Sequence, residues 1–97
     1  MKTKNEILTI LKMMRPELEE DYHVKSIGLF GSVVRDETPG GSDIDVLVEF
    51  RHPIGMFRFL ELEELLSERL GQKVDLVSKK ALKPEIGRAI LSEVELT

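Results

Sequence analysis

The sequence predicts a small α/β (α+β) domain in the order helix, strand, strand, helix, strand, helix. Three observations lead there. Apolar residues recur at helical spacing in three stretches, short runs of branched residues lie between them, and glycine or proline marks the boundaries. Ninety-seven residues are enough for one domain with one core, expected to span residues 1–97.

Residues 3–15 read as an amphipathic helix. Ile7, Leu11, Met14 and Leu18 share one helical face, and Thr3 and Glu6 have the spacing of a capping box. Pro16 interrupts the pattern, which predicts a break near Arg15 and a short second helical piece to about Tyr22. Residues 24–30 form the first strand, rich in branched and aromatic side chains. Residues 32–35 read as the first turn of a helix starting straight after it. Residues 36–42 form a loop around Thr38-Pro39-Gly40-Gly41. The second strand covers 44–50 and ends at Arg51-His52-Pro53. The longest helix runs from Gly55 or Met56 to Leu70, with Met56, Phe59, Leu60, Leu62, Leu66 and Leu70 as a broad apolar stripe and Gly71 at the position where a helix turns left-handed. Residues 73–77 are a third strand. Pro84 opens a last helix whose buried face is assigned to Ile86, Ala89, Ile90 and Val94.

With 41% hydrophobic and 33% charged residues, the composition is that of an ordinary globular chain. The absence of cysteine excludes disulfides and thiolate metal sites and suits a reducing, cytoplasmic setting. No apolar run approaches the roughly 20 residues of a membrane span, and the first residues lack the apolar core of a signal peptide. A net charge of −4 argues against a nucleic-acid partner.

The chemistry concentrates in residues 31–45, GSVVRDETPGGSDID. On a strand, Asp43 and Asp45 point the same way, while Ile44, Val46, Val48 and Phe50 take the opposite face. Two adjacent carboxylates repel and lose hydration, a cost that a bound cation removes. Asp75 stands between Val74 and Leu76 and shares its face with Lys73 and Val77. If its strand neighbours the second one, three carboxylates converge into an all-oxygen site for a hard cation such as Mg²⁺. The alternative is that Asp75 pairs with Lys73 or a loop arginine. Gly31 and Ser32 lie where a strand runs into a helix start, an arrangement whose backbone N–H groups attract phosphate. Walker A and GxGxxG patterns are both absent.

Together, Gly31, Ser32 and Arg35, then Ser42, Asp43 and Asp45, then the lone strand residue Asp75, resemble the DNA-polymerase-β-like nucleotidyltransferase superfamily, and in particular its minimal members (MNT). The resemblance covers nearly the whole chain and includes the element order. It implies the palm-like fold of that superfamily, a small mixed sheet packed against helices. It also implies ATP as substrate, two Mg²⁺ ions, and transfer of a nucleotidyl group to an acceptor hydroxyl. Carried over by position, Asp43 and Asp45 would hold both metals and Asp75 the catalytic one. Gly31, Ser32 and Ser42 would line the nucleotide, with Arg35 either binding phosphate or tying its helix to the loop. One departure is Asp36, where the family often has glycine. The resemblance further implies a HEPN-domain toxin as partner, with AMP moved onto a toxin tyrosine, so that the chain acts as an antitoxin. Two rival readings are a docking antitoxin with a vestigial nucleotide site, and a nucleotidyltransferase acting on a small molecule or RNA.

His23 and His52 have no second ligand at metal spacing and read as surface residues. Lys79 and Lys80 read first as a solvated pair and second as a phosphate contact. Most of the Met56, Phe57 and Phe59 cluster reads as core packing, with a part left over as an exposed apolar contact.

Overall fold

A computed structural model describes residues 3–31 and 43–97, apart from the side chains of Ile86 and Glu93. Its elements are α1 (Lys4–Tyr22), β1 (Val24–Phe30), β2 (Ile44–Phe50), α2 (Met56–Leu70), β3 (Val74–Ser78), a 3-10 turn (Lys79–Ala81), α3 (Pro84–Glu93) and β4 (Glu95–Leu96). The strands form one mixed sheet in the order β3-β2-β1-β4. β1 is antiparallel to both β2 and β4, while β2 and β3 are parallel and connected through α2. This is the mixed sheet with helices that the family resemblance implied.

The core lies on one face of the sheet. Ile7, Leu11, Met14 and Leu18 of α1 meet Leu62, Leu66 and Leu70 of α2 over Ile27, Leu29, Ile44, Val46, Val48, Val74 and Leu76. Alternation along each strand puts these apolar residues on one side. The boundaries of β1, β2 and α2 agree with the sequence reading, Thr3 closes a capping box with Glu6, and Gly71 is left-handed at φ 67°.

Four expectations need correction. First, α1 does not break at Arg15 but runs through Pro16 to Tyr22. Met14 and Leu18, on either side of the proline, are both buried, and their packing outweighs the one backbone hydrogen bond that proline cannot donate. Second, the stripe on α2 is wider than the face it buries. Leu62, Leu66 and Leu70 are covered, but Met56 and Leu60 are 69% and 50% exposed, and neighbouring Phe57 is 88% exposed. Third, Ala89 lies exposed on α3, while Gly87 is buried beneath Leu82. Fourth, the third strand is shifted by one residue, and the order gains β4, a two-residue edge strand.

The outer edge of β3 is closed by α2. Ser67 Oγ accepts the Val74 N–H at 3.0 Å, and Glu63 Oε2 accepts the Leu76 N–H at 2.9 Å.

Candidate active site

The face of the sheet away from the helical core carries the acidic residues. Asp45 sits directly between Phe30 on β1 and Asp75 on β3, which are its register partners on either side. The parallel pairing of β2 with β3 therefore brings Asp45 and Asp75 onto neighbouring strands, about 4.8 Å apart along the hydrogen-bonding direction. Asp43 precedes β2 by one residue. Asp43 and Asp75 are exposed and Asp45 is half-buried. Deeper along this face, Leu47 is buried beside Val77.

Lys73 does not pair with Asp75. Its ammonium stands 3.8 Å from Asp43 Oδ2, with the lysine 79% exposed, a loose contact in high dielectric. The Lys73 carbonyl accepts the Ile44 N–H at 2.9 Å, which aligns the starts of β2 and β3. No ion pair reaches Asp75 among the described residues.

Gly31 ends β1 with φ +75°, a conformation that side-chain-bearing residues rarely adopt. A Cβ at this position would collide with Asp45 Oδ2 and lie 3.1 Å from Asp45 Cγ. The glycine predicted at the strand end thus lies directly against one of the predicted carboxylates. Ser32, Arg35, Asp36 and Ser42, and the helical turn and loop expected over 32–42, lie outside the described residues.

Among the described residues, no three His, Cys, Asp or Glu side chains converge as a ready-made metal cluster. The donor types nonetheless suit a hard divalent cation: Asp45 and Asp75 stand in register on neighbouring strands, Asp43 lies one residue ahead of β2, and all three are carboxylates. Gathering them around one ion asks for new side-chain rotamers, while the strand register already aligns the backbone.

At the far end of β2 lies a cleft of about 390 Å³, lined by residues including Phe50, Ile54, Met56, Phe59 and Lys80. It is several residues along the strand from the carboxylates and takes no part in their site. His23 and His52 are exposed, as expected, but their rings meet edge-to-face at 5.4 Å between centroids, a pairing of distant positions that sequence spacing does not show. Lys79 lies 3.7 Å from Glu49 Oε1, also away from the carboxylates.

Residues 11–96 match the nucleotidyltransferase domain family, and the chain belongs to it. Protein adenylyltransferase MntA of Thermococcus cleftensis is 46% identical over 94 residues, which span 97% of this chain and 95% of that protein. A solved structure provisionally described as a minimal nucleotidyltransferase is 31% identical with a TM-score of 0.74, covering 91% of this chain and 93% of that one. The fold also recurs, at 22% identity and a TM-score of 0.65, in the complex of tri-AMPylated Shewanella oneidensis HEPN toxin with MNT antitoxin, where 93% of this chain and 66% of that one are covered. This chain is accordingly an enzyme of the minimal nucleotidyltransferase type.

Proposed function

We propose that this protein moves AMP from ATP onto a hydroxyl of another protein, and that the acceptor is a tyrosine of a HEPN-domain toxin. The observation that carries the reading is the register match of Asp45 with Asp75, with Asp43 one residue ahead of β2, in a chain so similar to a protein adenylyltransferase. The toxin as partner is supported by the HEPN–MNT complex that shares the fold. Use of ATP fits a cytoplasmic site of action.

In this reading Asp43, Asp45 and Asp75 hold Mg²⁺, with Asp43 and Asp45 serving two ions and Asp75 one. When bound, the cations supply positive charge to the α-phosphate and ease loss of the acceptor's proton. Gly31, Ser32 and Ser42 orient the triphosphate, and Arg35 binds phosphate or anchors its own helix. In the same reading Asp75 takes the proton of the acceptor hydroxyl. The acceptor oxygen then bonds to the α-phosphorus as the bond to the β-phosphate bridging oxygen breaks, and pyrophosphate leaves.

In this reading the acceptor tyrosine comes from another chain. Tyr22 is the single tyrosine here. It is 6% exposed and packed in the helical core, on the opposite side of the sheet from the carboxylates.

The test uses ATP labelled at the α-phosphate, Mg²⁺ and a lysate of the source organism, comparing wild type with Asp43→Asn. A labelled protein band seen only with wild type, with the label mapped to a tyrosine by mass spectrometry, is the expected result. Equal labelling by the variant would overturn the assignment. No band and no nucleotide binding by the wild type would favour a purely docking antitoxin.

A further inference from the structure

We infer that Gly31 is a positioning residue for Asp45: its bare Cα forms the seat on which the Asp45 carboxylate rests. The phosphate-cradle role given to this glycine concerns the nucleotide, whereas the seat concerns the metal-binding carboxylate. The inference rests on the reading of Asp45 as a metal ligand.

Two independent features of the structure carry it. Gly31 has φ +75°, so the backbone there is already in a region reserved largely for glycine. The space that a Cβ would take is filled by the Asp45 side chain, with Oδ2 in collision range and Cγ at 3.1 Å. The obstructing group is a short side chain on a central strand. Asp45 is fixed by register between Phe30 and Asp75, so its backbone has nowhere to retreat. A methyl group at position 31 therefore turns the carboxylate to another rotamer and away from the direction it now takes. Residues that orient a metal ligand without touching the metal typically change affinity about 10- to 100-fold when altered.

The primary experiment measures Mn²⁺ binding by electron paramagnetic resonance of the free ion, without nucleotide, and separately the binding of a fluorescent ATP analogue in EDTA. Gly31→Ala is expected to weaken Mn²⁺ binding about 10- to 100-fold in the absence of nucleotide, a loss that a role in holding phosphate alone would not produce. The reverse split, with Mn²⁺ held and nucleotide lost, overturns the inference and leaves Gly31 as a phosphate contact alone. Gly31→Asn separates collision from backbone strain. Asparagine tolerates positive φ yet carries the same Cβ, so it should lose Mn²⁺ as alanine does. Wild-type Mn²⁺ affinity in Gly31→Asn overturns the inference.

Thermal melting provides a readout that needs no metal. Gly31→Ala should lower Tm by much less in an Asp45→Ala background, where the obstructing carboxylate is gone, than in the wild type. Additive Tm losses overturn the seat. Should Gly31→Ala alone fail to fold, the double variant remains measurable against Asp45→Ala. Asp45→Asn distinguishes the two levels of the argument. If it retains Mn²⁺ at wild-type affinity, the metal reading itself fails, whereas loss in Asp45→Asn with retention in Gly31→Ala removes only the seat.

Discussion

Tyr22 shows how much a single side chain reports here. Its hydroxyl donates to Glu61 Oε1 at 3.3 Å, and the Arg58 guanidinium lies 4.5 Å above its ring. Burial, and next the negative charge of Glu61, push its phenol above the usual 10.0, with Arg58 pulling in the other direction. A raised folded-state pKa means that the neutral phenol stabilises the fold. That contribution is complete below the unfolded value near pH 10 and is lost as pH rises through the folded value. As the single tyrosine, Tyr22 can be titrated directly by ultraviolet absorbance. A midpoint above 10 is expected in the folded protein, and Tyr22→Phe should flatten the alkaline loss of stability. A midpoint at or below 10 contradicts this account. In the same core, Leu66 is fully buried between helix and sheet. Leu66→Ala should cost about 2–5 kcal/mol in urea denaturation, since the site is closed on all sides. At this scale the common face of Asp45 and Asp75 was legible from strict strand alternation once β2 and β3 are neighbours, as their register shows. The contact of Gly31 with Asp45 was not, because it depends on a backbone angle and on which strands are neighbours.

The secondary-structure elements differ in how openly the sequence declares them. β2 and α2 have clean periods and punctuation at both ends, and their limits were readable to the residue. α1 misled because Pro16 is a local signal, whereas the apolar stripe on both sides of it acts through the sheet. The helix tolerates a carbonyl at Lys12 with no partner from position 16. Replacing the ring should therefore relieve strain and restore a hydrogen bond. Pro16→Ala is expected to raise stability by about 1–3 kcal/mol, less the entropy that alanine returns to the unfolded chain. An unchanged or lower urea midpoint would show that the proline is not strained. At the start of the same helix, Thr3→Ala removes the oxygen that accepts the Glu6 N–H at 3.2 Å. A loss of about 1 kcal/mol is expected by the same measurement.

Across the whole molecule, the sequence shows best what repeats and worst what closes. β4 has only two residues and no period of its own. Its place follows from partners far along the chain. Lys4 reaches Glu95 at 3.0 Å, Arg15 donates to the Thr97 carbonyl at 3.0 Å, and the Thr97 N–H donates to the Ile27 carbonyl at 3.0 Å. Gly28 permits this approach, since a Cβ there would come within 2.5 Å of the Glu95 carbonyl oxygen. Gly28→Ala should therefore lift β4 off the sheet, seen as faster hydrogen exchange at the Thr97 amide with little change at Leu66. The opposite edge has a different consequence. Four residues of helix advance about 6 Å and two residues of strand about 6.6 Å, so Glu63 and Ser67 keep step with Leu76 and Val74. α2 thereby imitates a fifth strand with side-chain oxygens and leaves those donors nothing to offer an incoming chain. A partner that reaches the carboxylates cannot do so by zipping its own backbone onto β3, and the same cover shields the sheet from the edge-to-edge growth that ends in fibres.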